Sequence, residues 1–267
     1  MIIVKVGGGK TINWEYICSD ITSLINHGEK LVIVHGASEL RDEIAIKMGV
    51  PSQTVTSPSG ISSVYTDQAA LDIFLMSYAG VANKTIVAQM QSNGINALGL
   101  SGVDGRLWEA QAKPNMMVQE EGKKRLIRDN RTGRVEKVNV SLIHLLLENG
   151  YVPVISAPAI SYDSQIVNTD NDWATAVMAG ALCAKSVVYL FEAQGLMKDI
   201  HDSSSVIPTI DKNGLDSFMK FAQGRMKKKV MGAQKALELG VDSVYFGDGR
   251  IEHPISNALQ GKGTVFS

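Results

Sequence analysis

The sequence predicts a three-layer α/β/α sandwich with a mostly parallel central sheet and projecting β-hairpins. Short, continuously apolar runs alternate with segments of helical periodicity along the whole chain of 267 residues. That alternation is typical of a parallel sheet covered by helices on both faces. One polar segment, rich in glycine and basic residues, interrupts the alternation and predicts the hairpins.

Seven apolar runs have the length and composition of buried strands. They cover residues 2–6, 31–35, 96–100, 152–156, 186–191, 243–246 and 264–266. Apolar residues recur at helical spacing between them. In the first such segment the spacing extends from Ile12 to Ile25, and Gly28 is predicted to end the helix.

The segment of residues 105–138 has the composition of projecting hairpins rather than of a linker. Gly122 and the pair Thr132-Gly133 are predicted to form their turns. The segment is rich in basic side chains. They are Arg106, Lys113, Lys123, Lys124, Arg125, Arg128, Arg131, Arg134 and Lys137.

The composition argues against several classes of protein. Lys plus Arg total 26 and Asp plus Glu total 27, so the net charge of −1 provides no general attraction for nucleic acid or an anionic membrane. No apolar run reaches the roughly 20 residues that span a bilayer, and the N-terminus reads as a strand rather than a signal peptide. We therefore expect a soluble, cytoplasmic protein. Cys18 and Cys183 lack metal-ligand spacing and are interpreted as buried free thiols, the alternative being a disulfide or a metal.

Two turns of small residues each follow a predicted strand. Parallel strands present their carboxyl ends at one edge of a sheet, so both turns belong at one crevice, where backbone N–H groups can bind an anion. The alternative is a pair of tight turns selected for steric reasons. His35 is either catalytic or hydrogen-bonded within the structure. The residues are Lys5, Gly7, Gly8 and Gly9 after the first strand and His35, Gly36, Ala37 and Ser38 after the second.

A polar cluster begins the apolar helix that is predicted over residues 173–182. It contains Asn168, Asp170, Asn171 and Asp172. A helix N-cap accounts for one of these side chains. So many together indicate hydrogen bonding to a substrate or the orientation of lysines.

A basic cluster, Lys227 to Lys229 within residues 224–233, lies at another predicted helix start. Cations are mildly unfavourable at a helix N-terminus, and a bound anion would offset that cost. The alternative is a solvated basic face.

Together and in this order, the motifs resemble those of the amino acid kinase family over nearly the whole chain. The resemblance is closest to the acetylglutamate kinase branch, especially to kinases of aminoadipate or glutamate attached to an acidic carrier protein. Residues 224–233 and 248–255 carry the match most specifically, with support from residues 99–107 and 147–154. The resemblance implies the amino acid kinase fold in a single domain of residues 1–267. Its N-lobe, about residues 1–165, would bind the acceptor and dimerise, and its C-lobe, about residues 166–267, would bind ATP.

The resemblance also implies a reaction, in which MgATP phosphorylates a carboxylate to an acyl phosphate. Lys5 and Lys229 match the lysines that flank the transferred phosphoryl group, and Asp172 matches the carboxylate that orients them. No side chain is assigned to Mg²⁺. The other implied residues are Gly7, Gly8, Gly9, Gly36 and Ala37 for phosphate; Gly36, Ala37, Val64 and Asn168 for the acceptor; and Glu192, Gly195, Leu196, Met226 and Lys229 for the nucleotide.

The implied partners are an acidic amino acid with a blocked amino group, a small acidic carrier protein, and a second copy of the chain in a homodimer. The basic side chains of residues 105–138 would form a surface near the active site that steers an acidic carrier toward it. The alternative is that they are solvated charges on a loop.

Three positions depart from the family pattern. Val64 stands where close relatives carry an arginine that pairs with the substrate α-carboxylate. Ala37 replaces a glycine of the His-Gly-Gly turn and disfavours a positive φ. Glu192 replaces an aspartate or asparagine of the nucleotide pocket. Together the three changes indicate either a different substrate or a weakened enzyme.

Because Lys5, Asp172 and Lys229 are all present, the leading hypothesis is a working kinase of lysine or arginine biosynthesis. It would phosphorylate the side-chain carboxylate of carrier-linked or acetylated aminoadipate or glutamate. One alternative is a catalytically weak, nucleotide-binding paralogue that acts as a regulatory subunit. Another is a family kinase with a different acceptor, such as carbamate or an isoprenoid phosphate.

Overall fold

The structure is a computed structural model that describes residues 1–58, 60, 62–120 and 123–267. The turn predicted at Gly122 lies outside the described residues. No helix in the described part of the chain is long and apolar enough to cross a membrane. The helices are α1 Trp14–Asn26, α2 Ser38–Lys47, α3 Gln68–Phe74, α4 Asn83–Ser92, α5 Val140–Glu148, α6 Asn171–Ala181, α7 Arg225–Glu238 and α8 Pro254–Leu259, with a π-helical segment Leu75–Ala82 joining α3 to α4 and 3₁₀ segments at Asp104–Arg106, Ser203–Ser205 and Lys212–Phe221.

The strands form a large central sheet and two small ones. They are β1 Ile2–Val6, β2 Leu31–His35, β3 Thr54–Thr56, β4 Ser62–Val64, β5 Ala97–Gly102, β6 Trp108–Lys113, β7 Met116–Glu120, β8 Lys123–Ile127, β9 Thr132–Val138, β10 Val152–Ser161, β11 Ile166–Val167, β12 Ser186–Phe191, β13 Thr209–Ile210, β14 Ser243–Asp248 and β15 Thr264–Phe266.

Within the described residues, the large sheet follows the order β13-β15-β14-β12-β1-β2-β10-β6-β9, with β5 and β11 also paired to β10. β1 runs parallel to both of its neighbours, β12 and β2. The pairs β2-β10, β5-β10 and β12-β14 are parallel as well. Antiparallel pairs occur at β14-β15, β6-β9 and β10-β11. The prediction of a mostly parallel sheet in an α/β fold is therefore confirmed.

The predicted elements agree closely with the observed ones. β1, β2, β12 and β15 have the predicted bounds, and α1 ends just before Gly28, whose φ of +86° only glycine adopts without strain. β10 is longer than predicted. It continues to Ser161 because Ile160 and Ser161 pair with β6 after the first half of the strand has paired with β5.

The polar segment forms two antiparallel pairs, β6-β9 and β7-β8, so the predicted hairpins are confirmed. The turn predicted at Thr132-Gly133 is wrong, because both residues lie inside β9 opposite Lys113 and Ala112. A Cβ atom on Gly133 would collide with the side chain of Val167. The glycine is therefore explained by the close approach of two strands rather than by a turn.

The two cysteines differ from each other. Both are free, as predicted, and Cys18 is buried in α1. Cys183 is exposed, so the prediction of a buried thiol is wrong there. The chain has left α6 at this point, and Cys183 lies in a turn with φ +48°.

Each face of the central sheet is covered by its own set of helices. Along β1, the side chains of Ile2, Val4 and Val6 enter an apolar cluster with α1, α4 and α8. Ile3 enters the cluster on the opposite face, formed with α5, α6 and α7. Because successive side chains of a strand point to opposite faces, Lys5 lies on the same face as Ile3. The strand thus directs Lys5 toward α6 and α7.

Asp20 anchors α8 to α1. This side chain is 1% exposed and accepts hydrogen bonds from Ile255 N (2.7 Å), Ser256 N (2.8 Å) and Ser256 Oγ (2.5 Å). It satisfies the orphan N–H groups at the start of α8, where no local side chain does so.

We expect Asp20→Ala to lower the free energy of unfolding by about 1.5–3 kcal/mol, because it leaves buried donors without an ionised acceptor. The measurement is urea unfolding at neutral pH. Glu29→Ala, which removes an exposed acid after the same helix, should change the stability by less than about 0.5 kcal/mol. Equal effects of the two variants would contradict the role of Asp20.

Candidate active site

The carboxyl ends of the central strands meet the first turns of three helices. Gly7 follows β1, Gly36 follows β2, and Glu192 follows β12. α2 starts beside these turns, and α6 and α7 begin on the face to which Lys5 points. The glycine turns and the polar clusters singled out in the sequence are therefore brought to one crevice.

Gly8 and Gly36 pack directly against each other. A Cβ atom on Gly8 would overlap the amide nitrogens of Ala37 and Ser38, and one on Gly36 would lie 2.8 Å from Gly8 N. Backbone N–H groups from two turns are thereby concentrated at the start of α2. Such an arrangement is suited to binding an anion such as a phosphate.

Gly7 and Gly9 occupy different environments. The Gly7 N–H donates to Leu190 O at 2.8 Å and so continues the sheet. A Cβ atom on Gly9 would overlap the carboxylate of Glu192. That carboxylate accepts from Thr11 N at 3.0 Å and from Thr11 Oγ1 at 2.5 Å, and these hydrogen bonds lower the pKa of Glu192. The side chain of Glu192 thus anchors the loop that follows the glycines.

A buried carboxylate joins two lysines at the centre of the crevice. Asp172 Oδ1 lies 2.6 Å from Lys5 Nζ, and Asp172 Oδ2 lies 3.2 Å from Lys229 Nζ. Lys5 and Asp172 are 5% and 7% exposed, so these charges are poorly screened by solvent. Two cations and one anion leave the group with a net positive charge.

The pKa values of the three groups follow from burial and from one another. Burial raises the pKa of Asp172, but the charges of Lys229 and Lys5 outweigh it and hold the pKa well below its usual range. For Lys5, burial lowers the pKa, but the Asp172 charge outweighs it and the pKa is raised. Burial dominates at Lys229, and its pKa is lowered to about 8.

A close contact between α6 and α7 and a cap on α6 make this pairing possible. A Cβ atom on Gly232 of α7 would lie 3.0 Å from both Asp172 O and the Tyr189 hydroxyl, so glycine permits the approach of α7 to α6. Asp170 caps α6 by accepting from Asp172 N and Trp173 N. The ordinary N-cap function belongs to Asp170, and the side chain of Asp172 is left to bind the lysines.

The first turn of α7 is basic and carries no capping side chain. Gly224 is the N-cap, and no acidic residue lies in the first turn. Lys229 faces Asp172, and Lys228 lies 3.5 Å from Asp170 Oδ2. This accumulation of positive charge at a helix N-terminus fits an anionic ligand.

His35 is a fully buried part of the framework. Its Nε2 lies 3.0 Å from Asn83 Nδ2, and its Nδ1 lies 3.2 Å from Gly36 O. The orientation of the Asn83 amide follows from its other contacts, since Oδ1 accepts from Lys84 Nζ and Nδ2 donates to Val154 O. Nε2 must therefore accept, and Nδ1 carries the proton that Gly36 O receives. Burial lowers the pKa of His35 to about 4, so the ring is neutral at pH 7.

Asn168 and Val64 are both predicted from the sequence to bind the acceptor. Asn168 is 8% exposed and donates to Thr66 Oγ1 at 3.1 Å, whereas its Oδ1 has no hydrogen-bond partner among the described residues. An unsatisfied buried acceptor is costly unless a ligand or water satisfies it. Val64 packs against an apolar cluster that contains Ala37 and Phe74. Two of the three departures from the family pattern therefore belong to one apolar cluster.

Ala37 causes no backbone strain. Its φ is −152°, so the turn does not need the positive φ that the sequence raised as a difficulty. The concern is wrong for this position. The methyl group adds to the apolar cluster beside the crevice, and the backbone N–H is retained.

Residues 1–248 match the sequence model of the amino acid kinase family. The chain belongs to the amino acid kinase family. A relative from Deinococcus radiodurans, 46% identical over all of this chain and 91% of its own length, is named [LysW]-aminoadipate kinase. A relative from Thermus thermophilus with the same name is 43% identical over 99% of both chains. The chain is therefore an enzyme of the phosphotransferase class.

The fold of an amino acid kinase is also found in solved structures. Carbamate kinase from Giardia superimposes with a TM-score of 0.69 at 15% sequence identity, covering 99% of this chain and 97% of its own. Similarity at this level of identity shows a common fold. The two-lobe division near residue 165 stays a prediction, since the central sheet continues from β12 through β1 to β2.

Three of the residues predicted to bind nucleotide lie after β12 or in the first turn of α7. Leu196 is fully buried in the main core, and its N–H donates to Thr264 Oγ1 at 2.8 Å. A Cβ atom on Gly195 would collide with the same hydroxyl. Met226 packs against the core from the first turn of α7. The nucleotide-binding roles of these three residues stay predictions.

The residues present fit the phosphate end of ATP. The amide nitrogens of Ala37 and Ser38 that pack against Gly8, together with the excess positive charge around Asp172, are suited to a phosphate chain. The described residues contain no group of three His, Cys, Asp or Glu side chains placed to hold a metal. Mg²⁺ is commonly held by nucleotide phosphates and water with little help from the protein.

Sequence reasoning missed several residues of the site. Asn83 fixes the tautomer of His35, Thr66 binds Asn168, and Thr11 holds Glu192. Each acts through a contact between residues at least 48 positions apart in the chain. No local motif predicts such a contact. The position of Thr11 next to the glycine turn is the one feature of the sequence that could have indicated a role in the site.

The pKa of Lys229 predicts how phosphoryl transfer depends on pH. Below pH 8 the side chain is a cation, and above pH 8 it loses its proton and its charge. We expect kcat/KM, which reports on the free enzyme, to fall as the pH rises through about 8. In Lys229→Arg, whose guanidinium stays charged, the residual activity should not show that fall. A wild-type profile that stays level through this range would contradict the prediction.

The tautomer of His35 can be tested independently of activity. We expect ¹⁵N NMR of the wild-type ring to show one protonated and one unprotonated nitrogen at pH 7. In Asn83→Asp a carboxylate replaces the amide donor, so it should raise the pKa of His35 and protonate both nitrogens. Asn96→Asp, at an exposed position, is the control. Unchanged His35 signals in Asn83→Asp would overturn the assigned network.

Proposed function

We propose that this enzyme uses MgATP to phosphorylate the side-chain carboxylate of aminoadipate whose amino group is linked to a small acidic carrier protein. The observation that carries the proposal is the buried carboxylate of Asp172 between Lys5 and Lys229. The acceptor follows from the relatives at 46% and 43% identity, which are named for aminoadipate on a carrier. The reaction belongs to lysine biosynthesis under this proposal.

The chain's own residues suffice for the chemistry that such a transfer needs. A carboxylate is already ionised at neutral pH, so no general base is required. A bond forms between an acceptor carboxylate oxygen and the terminal phosphorus of ATP, and the bond from that phosphorus to the ADP oxygen breaks. Lys5 and Lys229 neutralise the charge on the transferred group, and Asp172 keeps both ammonium groups in place.

The acidic carrier is proposed to approach along the β7-β8 hairpin. Lys123 and Lys124 are exposed on β8, and exposed cations steer an acidic partner by long-range attraction. Other basic side chains of the segment are engaged within the protein. Arg106 pairs with Glu109 at 2.6 Å, and the guanidinium carbon of Arg134 lies 3.7 Å from the ring centre of Trp173.

The alternative of a catalytically weak regulatory paralogue has no support from the comparisons. The intact group of Lys5, Asp172 and Lys229 favours a working enzyme. Glutamate as acceptor, a homodimer and a cytoplasmic location, all expected from the sequence, are kept as proposals.

The proposal is tested by trapping the acyl phosphate as a hydroxamate. We expect purified enzyme with MgATP and hydroxylamine to give hydroxamate from carrier-linked aminoadipate. Lys5→Ala should lower kcat by at least about 100-fold, because it removes a cation that acts on the transferred group. Lys212→Ala, at an exposed position in the segment Lys212–Phe221, is the control.

Two outcomes would count against this function. Release of ADP without hydroxamate would mean that the acceptor is not a carboxylate. Hydroxamate from carrier-linked glutamate alone would exclude aminoadipate as the substrate.

A further inference from the structure

The proposed acceptor carries a second carboxylate, on its α-carbon, which needs a cationic partner in the protein. This inference therefore rests on the proposed function. Lys5 and Lys229 are committed to Asp172 and the transferred group. Val64, on the acceptor side, packs into the apolar cluster and can donate no hydrogen bond. An unpaired carboxylate in a partly desolvated site is costly, so another donor is required.

A cleft of about 500 Å³ opens on this side of the molecule. Its walls come from the start of α3, the end of β6, the loop after β8, and the hairpin between β10 and β11. Arg128, Arg131 and Val167 are among its lining residues. Val167 immediately precedes Asn168, so the cleft lies beside the predicted acceptor-binding residue.

The backbone of Arg131 is bonded to both acceptor-side segments. Its N–H donates to Thr66 O at 2.6 Å, and its carbonyl accepts from Asn168 N at 2.9 Å. Thr66 is two residues from Val64, and its hydroxyl accepts from the Asn168 side chain. The backbone of Arg131 is thus held between the segment that follows Val64 and Asn168, whose buried Oδ1 has no hydrogen-bond partner among the described residues.

The charges in the cleft are distributed unevenly. The side chains of Arg128 and Arg131 form no hydrogen bond or ion pair with any residue that the structure describes. The three carboxylates of the cleft each accept a hydrogen bond: Asp67 from Ala70 N (2.9 Å), Asp129 from the Tyr65 hydroxyl (2.6 Å) and Asp163 from Ser161 Oγ (2.5 Å).

Two guanidinium groups against three carboxylates give the cleft a net charge of −1. The net charge of the cleft therefore does not attract anions in general. A carboxylate ligand has to be bound by direct contact with one available guanidinium, whose fork of N–H donors matches a carboxylate.

We propose that Arg131 binds the α-carboxylate of the acceptor amino acid and so supplies the specificity that position 64 does not provide. The cleft beside it accommodates the amide that links the amino acid to its carrier. Arg131 is in this proposal a substrate-binding residue of the acceptor site.

The test removes the α-carboxylate and the guanidinium in turn. The two acceptors are carrier-linked aminoadipate and carrier-linked 5-aminopentanoate, which has the same chain and reacting carboxylate but no α-carboxylate. We expect wild-type kcat/KM to be about 10- to 100-fold lower with the second acceptor, the loss of one charged hydrogen bond. Arg131→Ala should show a similar loss with aminoadipate, little further loss with 5-aminopentanoate, and partial recovery in Arg131→Lys.

The matched control is Arg128→Ala, which removes the same charge from the same cleft. It should keep the wild-type preference between the two acceptors. Loss of the preference in Arg128→Ala instead of Arg131→Ala would overturn the assignment. So would an equal loss on both acceptors in Arg131→Ala, because a structural defect does not distinguish them.

A direct binding measurement separates this inference from the proposed function. Calorimetry of the two carrier-linked ligands, in the presence of a non-hydrolysable ATP analogue, needs no turnover. We expect wild type to bind the aminoadipate ligand more tightly and Arg131→Ala to bind both equally. If wild type binds the two ligands with the same Kd, the inference fails whether or not the enzyme turns over. If it discriminates between them but forms no hydroxamate, the proposed function fails and the assignment of Arg131 stands.

Discussion

The interaction on which the site depends is the pairing of one buried carboxylate with two lysines. Lys5 and Lys229 supply two positive charges and Asp172 one negative charge, all at less than 15% side-chain exposure. The excess charge of +1 is expensive in a poorly solvated crevice. The pKa of Lys229 is lowered because burial and the nearby charge of Lys5 disfavour its charged form. A bound anion removes that cost, so the arrangement of charges favours a phosphate ligand.

Much of the fold can be understood as what holds these three side chains in place. β1 lies at the centre of a parallel sheet, and its alternation places Lys5 on the face covered by α6 and α7. Asp170 caps α6, which leaves Asp172 available to the lysines. Gly232 allows α7 to approach until Lys229 reaches the same carboxylate. A strand, a cap and a helix contact are all necessary for one ion triplet.

The sequence was sufficient for the parts of this design that are local. The strands β1, β2, β12 and β15 were predicted to the residue because continuous apolar runs in a buried parallel sheet have few other interpretations. Motifs at strand and helix ends, together with the family resemblance, pointed to Lys5, Asp172 and Lys229, and the structure brings these three side chains together. The turn at Thr132-Gly133 was mispredicted because a glycine that admits a neighbouring strand has the same local signature as one that forms a turn. The contacts of Asn83 and Arg131 bring together distant parts of the chain, and local patterns contain no information about them.

The departures from the family pattern take on a different meaning once their positions are known. Val64 packs against the apolar cluster that contains Ala37, so two of the departures fall in one part of the molecule. Glu192 is bonded to Thr11 and serves the loop after the glycines. None of the three contacts the ion triplet through a hydrogen bond or salt bridge among the described residues. Under the proposed function, the residues that recognise the acceptor are therefore distinct from those that act on the phosphoryl group. A change of cation on the acceptor side can alter what is bound while the charges that act on the phosphoryl group stay as they are.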